Sequence, residues 1–428
     1  MSLLFASLAA SVSFVWFLNY VFVVKRDFNE PPYIHPKFPI IGHAANAIAT
    51  ASERYKLRIF GLAILGMPGG RVYVIISPDL VLAVQRQSKQ LSFWHVEATF
   101  TVGMAGLSLH AAKIITHNVH GEEEGTSFFK SSMTLHHQEL QPGEHLLNIT
   151  RDGTQKLTRA VSKLEEMTRI DLNQWIVDVI MDSVTGSFYG PKNPYKDPEV
   201  SRAFKTLKTM PSRKDGRCIS QILWDEGPKN ASHIIQSKDK AAATSEISLL
   251  DRARMDAVSG HVILANTTPT AFWTVFHLLS DPKLVEEVRN AVEPLVKTVE
   301  KDGRFSREMD ISKIRDVPII KSILHESLRH YADGTGTRIV LQDTMLDEKY
   351  LLKKDSFIFM PNRAYHFDES SWGSDVCGFD VEPVGGTWVY PGADSSNLSL
   401  IINPPIKEVL VDFKPRAGWA NCDWSFTL

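Results

Sequence analysis

The longest uncharged stretch of this chain runs from Leu3 to Val24 and is interrupted only by serines and one asparagine among its apolar and aromatic residues. A helix of this length can cross a hydrocarbon core of about 30 Å. Lys25 and Arg26 follow at once and no basic residue precedes the run, so the positive-inside rule places the remainder in the cytosol. We predict a transmembrane anchor over residues 1–24. The alternative, a cleaved signal peptide, normally has a basic leading region and a shorter apolar core.

A second pattern, rich in proline, follows the predicted anchor. Prolines recur at positions 31, 32, 36 and 39, and the stretch ends at Gly42. Such spacing makes a stiff, extended linker, so we predict a hinge over residues 25–42 and a folded domain over 43–428. In that domain, Arg71–Ile76 has the pattern of a strand, and Ser77 and Pro78 that of a helix start. Helical periodicity dominates from Gln155 to Leu250, and we predict a mainly α fold with a small β region.

The most apolar helix of the predicted domain spans Val262–Leu279. Its polar residues are confined to Asn266, Thr267, Thr268, Thr270 and Thr274. Pro269 removes a backbone donor, and we predict that it interrupts the helix. A polar, broken turn in a buried helix indicates a binding site. The alternative is a proline kink at which threonine hydroxyls satisfy the freed carbonyls.

A further helix is predicted to begin at Pro318, after Asp316. Helical spacing predicts a buried stripe made of Ile319, Ile320, Ile323, Leu324 and Leu328. Glu326 and Arg329 are three residues apart and project from one face, where they can form a charge-assisted pair. Taken alone, such a pair is equally consistent with an ordinary surface ion pair worth about 0.3–0.5 kcal/mol.

Composition excludes several classes of protein. The 428 residues are 43% hydrophobic and 22% charged, which is typical of a globular protein. A net charge of −2 gives no electrostatic reason to expect a nucleic-acid partner. Three cysteines without paired spacing predict no disulfide framework. His117, His120, His136 and His137 lack a His-Glu-x-x-His frame, so we predict no metal site among them.

The two helical stretches together resemble the cytochrome P-450 heme-thiolate monooxygenases. ANTTP in its long helix resembles their oxygen-activating helix, and HESLR resembles the helix whose Glu and Arg lock the chain behind the heme. The Asn-Thr-x-Pro-x-x-Phe-Trp run is similar to the branch that contains steroid 7-alpha-hydroxylases and prostacyclin synthase. Further similar stretches are EPPYIHPKFPIIGHA, GGRVYVIISPDLV, TRIVLQDTMLDEKYLL and FDVEPVGGTWVYP.

The resemblance implies a role for five residues. Thr267 matches the threonine that helps deliver protons to iron-bound oxygen, and Asn266 occupies the acidic or amide position before it. Glu326 and Arg329 match two members of the fold-locking triad, and Arg338 matches a basic residue that contacts a heme propionate. The resemblance also implies a heme cofactor, an NADPH-dependent reductase and a hydrophobic substrate such as a sterol, terpenoid or other specialised metabolite. With the anchor, it predicts an endoplasmic reticulum location.

One part of the family pattern is missing from the sequence. The family's thiolate ligand lies in a Phe-x-x-Gly-x-x-x-Cys loop, and none of Cys218, Cys377 and Cys422 has both the Phe and the Gly. The chain passes directly from SSWGSD to FDVEP, segments that several dozen residues separate in relatives. We interpret this as an internal deletion near Val376–Gly378 that removes the third triad member, the cysteine loop and the following helix. A catalytically inactive remnant or binding protein is therefore the alternative to a monooxygenase, and isomerase chemistry also stays open.

Overall fold

The computed structural model describes residues 27–34, 62–67, 70–166, 169–206, 228, 230–301, 304–373, 388–395, 401–412 and 423–427. The predicted anchor, the three cysteines and the predicted deletion near Val376–Gly378 all lie outside these residues. The chain divides into two compact units. Unit 1 comprises Met1–Glu97 with Ala332–Gly378, and unit 2 comprises Ala98–Tyr331 with Phe379–Leu428.

The described strands are, in chain order, β1 (Tyr33–Ile34), β2 (Leu62–Met67), β3 (Gly70–Ile75), β4 (Leu91–Ser92), β5 (Ile170–Asp171), β6 (Val296–Lys301), β7 (Arg304–Asp310), β8 (Thr335–Val340), β9 (Thr344–Leu346), β10 (Tyr350–Leu352), β11 (Phe357–Pro361), β12 (Leu410–Val411) and β13 (Asp423–Thr427). The described α-helices are α1 (Pro78–Arg86), α2 (Trp94–Ala105), α3 (Leu109–Thr116), α4 (Phe128–Glu139), α5 (Glu144–Ser162), α6 (Leu172–Ile180), α7 (Gly186–Tyr189), α8 (Pro198–Thr206), α9 (His233–Thr244), α10 (Leu249–Ser280), α11 (Pro282–Val292), α12 (Pro318–Tyr331), α13 (Asn362–His366) and α14 (Glu369–Trp372). The prediction of a mainly helical chain with a small β component is confirmed.

Unit 1 is built around a six-stranded sheet in the order β1-β2-β3-β11-β8-β4. Strands β2 and β3 form an antiparallel hairpin, and β11 runs parallel to β3 and antiparallel to β8. Alternate residues of these strands point to one face and are buried against α1, as the two-residue period of a strand requires. The resulting core contains Leu62, Tyr73, Ile75, Leu80, Val84, Leu91, Val340, Ile358 and Met360.

Unit 2 is mostly helical and carries two small sheets, β5 with β12 and β6-β7-β13. Its longest helix, α10, packs against α6, α9, α11 and α12. The close approach of neighbouring chain to α10 depends on Gly260, because a Cβ at that position would overlap the phenol of Tyr195. Buried side chains of this region include Met181, Tyr189, Tyr195, Ile234, Ile235, Ala257 and Leu264.

Helix α10 is continuous through Pro269, so the prediction that this proline interrupts the helix is wrong. Ser248 caps its start, with the side-chain oxygen accepting a hydrogen bond from the Asp251 backbone N–H. A proline removes one N–H only, and the surrounding turns remain bonded. The hydroxyl of Thr270 donates to the carbonyl of Asn266 at 2.7 Å, and that of Thr274 donates to the carbonyl of Thr270 at 2.8 Å.

Helix α12 begins at Pro318, as the sequence predicts. Its predicted apolar stripe is only partly buried: Ile323 is buried, whereas Leu324 is 37% exposed. The prediction that Leu324 is buried is wrong, because this side chain lines an open cleft instead of a packed interface. Among the residues that the structure describes, none of the helices combines the length and apolar character needed to cross a membrane.

Candidate functional site

A cleft of about 510 Å³ lies along one face of helix α10 in unit 2. Its lining consists of Asn266, Thr267, Thr270, Ala271, Thr274, Val275 and Leu324. The first six residues follow helical spacing and therefore form a single stripe of α10. Leu324 is contributed by α12. A mostly apolar wall with a few polar groups is the usual character of a small-molecule site.

Two polar groups at the cleft are free to meet a ligand. The Oδ1 atom of Asn266 is buried and has no hydrogen-bond partner among the described residues. Its Nδ2 donates to the carbonyl of Val262 at 3.3 Å. Leaving a buried acceptor unpaired costs about 1–3 kcal/mol, which a bound polar group would recover. Thr267, next to it, is exposed at the mouth of the cleft. The structure thus brings the two predicted oxygen-site residues together in one cleft.

The opposite face of α10 is packed with aromatic side chains. Trp273 is fully buried, stacks on Tyr331 with ring centroids 3.7 Å apart, and donates from Nε1 to the carbonyl of Asn403 at 2.7 Å. Phe272 and Phe276 pack beside it. Phe272 and Trp273 belong to the same Asn-Thr-x-Pro-x-x-Phe-Trp run as Asn266 and Thr267. One half of that run therefore lines the cleft and the other half fixes the helix.

His277 completes the packed face. Its Nε2 lies 2.8 Å from the hydroxyl of Tyr331, and the side chain is buried. Burial, with a smaller contribution from the charge of His330, lowers the pKa of His277 from 6.5 to about 3. The imidazole is therefore neutral at neutral pH and acts as a hydrogen-bonding core residue. The sequence alone does not distinguish it from a solvent-exposed histidine.

Glu326 and Arg329 form the predicted ion pair on α12. The Nε atom of Arg329 donates to both carboxylate oxygens of Glu326, at 3.0 and 2.9 Å, and Nη2 also contacts Oε1. The Arg329 side chain is 7% exposed and that of Glu326 is 32% exposed. A guanidinium this deeply buried needs its carboxylate, because removing one partner of a buried pair leaves an uncompensated charge. This pair is more than an exposed surface contact.

Arg338 lies on β8 and belongs to unit 1. Its Nη1 donates to the carbonyl of Thr337 at 2.7 Å, and its guanidinium carbon lies 5.2 Å from the centre of the Phe93 ring. Burial lowers the pKa of the Arg338 guanidinium below its ordinary value. The predicted contact with a heme propionate stays a prediction.

A second polar cluster in unit 2 was not predicted from the sequence. Glu139, His145 and His233 each bring a ligand-type atom within 4.8 Å of the others. Glu139 and His233 are separated by 94 positions, and only the six-residue spacing of Glu139 and His145 is local. No periodic pattern in the sequence identifies such a set. The four histidines considered from the sequence include neither His145 nor His233.

Comparison with known proteins agrees with this geometry. The family model described as Cytochrome P-450 matches residues 231–382, a range that contains both α10 and α12. The cytochrome P-450 monooxygenase nodJ of Hypoxylon pulicicidum is 27% identical over 487 aligned residues, which cover 94% of this chain and 92% of that protein. These matches support the cytochrome P-450 superfamily for this chain. The heme domain of a cytochrome P-450DA mutant, at 14% identity, shares the fold with a TM-score of 0.53 over 84% of this chain and 82% of that one.

The branch within the P-450 superfamily is less well defined. A 5-beta-cholestane-3-alpha,7-alpha-diol 12-alpha-hydroxylase from Sus scrofa is 28% identical over 130 residues, which cover 29% of this chain and 24% of that protein. The similarity to steroid hydroxylases is thus restricted to part of the P-450 domain. Assignment to the steroid 7-alpha-hydroxylase and prostacyclin synthase branch stays a prediction.

The P-450 family implies a heme cofactor, whose iron is held by a cysteine thiolate. The described residues include no cysteine, and none of the three in the sequence has the Phe and Gly of the family's loop. The described residues therefore do not include a candidate for the iron ligand. The alignment with nodJ runs over 487 positions against the 428 residues of this chain. It therefore includes positions at which the relative has residues and this chain has none.

Proposed function

We propose that this protein is a membrane-anchored P-450 monooxygenase that oxidises a hydrophobic sterol, terpenoid or other specialised metabolite. The observation that carries the proposal is the cleft on α10, where an apolar wall meets the unpaired Oδ1 of Asn266 and the exposed Thr267. The partial match to a hydroxylase whose name specifies a cholestane diol supports an apolar, fused-ring substrate. The apolar run Leu3–Val24 supports anchoring to the endoplasmic reticulum membrane, with an NADPH-dependent reductase as partner.

Each proposed residue has a task that its own chemistry allows. The hydroxyl of Thr267 both donates and accepts hydrogen bonds, so it can pass a proton across the mouth of the cleft. The Oδ1 of Asn266 accepts a hydrogen bond from the group that supplies that proton. Glu326 and Arg329 pair on α12, the helix that contributes Leu324 to the cleft. Arg338 is proposed to bind a carboxylate of the cofactor.

The monooxygenase proposal requires a thiolate, and Cys377 is the residue we assign to it. Cys377 lies at the junction where the family's cysteine loop is expected, and Gly378 follows it. The cysteine pattern equally motivates a second proposal, a P-450-like protein that binds an apolar molecule without oxidising it. In that protein, the cleft and the aromatic packing of α10 would remain while the iron ligand is lost. An isomerase that rearranges a peroxide would need the same thiolate and belongs with the first proposal.

One spectrum separates the two proposals. The full chain is expressed with a heme precursor, and the reduced, carbon monoxide-bound difference spectrum is recorded. A band near ~450 nm is expected of thiolate-ligated heme. Cys377→Ser should abolish that band, whereas the matched variant Cys218→Ser should retain it. Folded protein without the band would overturn the monooxygenase proposal and support the inactive binding protein.

A further inference from the structure

Three helix ends of unit 2 meet at a buried carboxylate. Glu139 is the last residue of α4, His145 is the second residue of α5, and His233 is the first residue of α9. Glu139 is 6% exposed, whereas the side chains of His145 and His233 are 45% and 53% exposed. The carboxylate thus forms the floor of a small site, and the two imidazoles form a rim that solvent reaches.

The two imidazoles converge on the same carboxylate oxygen. The Nδ1 atom of His145 lies 2.7 Å from Oε2 of Glu139, and that of His233 lies 2.8 Å from both Oε1 and Oε2. The rings stack with centroids 3.9 Å apart and an angle of 23° between their planes. The hydroxyl of Ser237 lies 3.4 Å from Nδ1 of His233. Two parallel imidazoles therefore direct the same type of nitrogen at one buried anion.

We propose that Glu139, His145 and His233 form a binding site for a divalent transition-metal ion, with Zn²⁺ as the ion that fits the donors best. Two imidazole nitrogens and one carboxylate oxygen are ligands that Zn²⁺ takes readily, with a water molecule in the fourth position. The site is separate from the cleft on α10 and does not depend on heme.

The distances require only a small adjustment for the metal. In a tetrahedral site with bonds of about 2.0–2.2 Å, neighbouring ligand atoms lie about 3.3 Å apart. The Nδ1 atoms are now at hydrogen-bond distance from Glu139 and would move outward by about 0.5 Å to reach that separation. Because an ion bound by Nδ1 lies near the plane of each imidazole, the two rings would also have to rotate out of their stack, which the exposure of both side chains allows. On binding, each neutral imidazole carries its proton on Nε2 and presents the Nδ1 lone pair, and any imidazolium releases one proton to solvent.

Such an ion would tie three helices together. Without it, the negative charge of the buried Glu139 is stabilised by two hydrogen bonds from exposed imidazoles. With it, a doubly charged ion faces the carboxylate directly and links α4, α5 and α9. Binding to the folded chain alone raises its stability in proportion to the logarithm of metal concentration. We infer a structural role, because the ion would join residues of three different helices.

Cobalt(II) and zinc(II) binding to the untagged, chelator-treated full chain tests the site. Titration with Co²⁺, followed by its visible absorption and by displacement with Zn²⁺, should give one ion per chain. His145→Ala and His233→Ala should each weaken Zn²⁺ binding roughly 100-fold, in line with the loss of one ligand. His137→Ala, an exposed histidine of α4, is the matched control and should leave the affinity within about twofold.

A second measurement distinguishes the loss of a metal ligand from a folding defect. Zn²⁺ should raise the thermal midpoint of the parent chain and of His137→Ala but not that of His145→Ala, each compared with its own midpoint without metal. A thiolate-to-cobalt charge-transfer band would place the ion on cysteine and overturn the proposal. Equal affinities for His145→Ala, His233→Ala and His137→Ala would overturn it as well.

Discussion

The two faces of α10 differ in what fills them, although their residues alternate along one short stretch of sequence. On one face, Trp273 is fully buried, stacked on Tyr331 and hydrogen-bonded to Asn403. On the other, Asn266 and Thr267 border an open cleft. The side chains of the packed face fix the helix in place, whereas the open face presents polar groups to a ligand.

The contrast explains why the helix tolerates Pro269 at its centre. A proline weakens a helix through the lost backbone hydrogen bond and steric crowding, at about 3 kcal/mol. Aromatic packing on one side offsets that cost, because a large buried ring contributes comparable stabilisation. The open side then presents polar side chains on an unbroken helix. Stability and a ligand-facing surface are therefore supplied by different faces of the same element.

Truncating Trp273 on the packed face should have the largest effect on the free energy of unfolding. Trp273→Ala should lower the free energy of unfolding by about 3–5 kcal/mol, because it leaves a cavity and removes the donor to the Asn403 carbonyl. Urea unfolding followed by far-ultraviolet circular dichroism measures the loss. Trp273→Phe is the control, since it keeps most of the ring volume and should cost about 1–3 kcal/mol. A loss below about 1 kcal/mol for Trp273→Ala would contradict the packing described here.

Local signals in the sequence predicted the elements of this region well. The start of α12 at Pro318 and the Glu326–Arg329 pair both follow from short-range features, a proline in the first turn and a three-residue spacing. The packing of α10 could not be predicted in the same way. Whether Pro269 breaks the helix depends on the packing of Trp273 against Tyr331 and Asn403, two residues that are distant in sequence.

The site was less predictable than the fold for the same physical reason. Asn266 and Thr267 were identified through their resemblance to the P-450 helix, and the structure places both at one cleft. Leu324 was predicted to lie in a buried stripe. The prediction failed because periodicity shows which face of a helix a residue occupies and not what covers that face. Glu139 and His233 meet only through tertiary structure, so no spacing rule could have found them.

The pH dependence of the free energy of unfolding tests whether the packed face keeps His277 neutral. The pKa of His277 is about 3 in the folded chain and 6.5 when unperturbed, so the unfolded chain binds more protons between these values. Stability contributed by the neutral imidazole is present above pH 6.5 and is lost as pH falls toward 3. The slope for one proton is about 1.4 kcal/mol per pH unit. Urea midpoints measured from pH 8 to pH 4.5 give the parent profile.

His277→Gln removes the titrating group from that profile. Below pH 6.5 the variant should lose stability less steeply than the parent, by up to the one-proton slope of about 1.4 kcal/mol per pH unit. Above pH 7.5 the difference between the two proteins should be constant, which serves as the internal control. Parallel profiles throughout would show that His277 is accessible to protons in the folded chain.

The smallest expected effect lies on the open face and tests the comparison most directly. Thr267 and Thr268 are neighbours in sequence, yet Thr267 is exposed at the cleft and Thr268 is 6% exposed on the packed side. Thr267→Ala should change the free energy of unfolding by no more than about 0.5 kcal/mol, partly because alanine favours the helix. Thr268→Ala should cost about 1 kcal/mol, because it removes buried atoms from a packed interface. Equal losses would mean that something packs on the cleft face of α10 in solution. A neutral Thr267→Ala with a costly Thr268→Ala would leave that face free for a ligand.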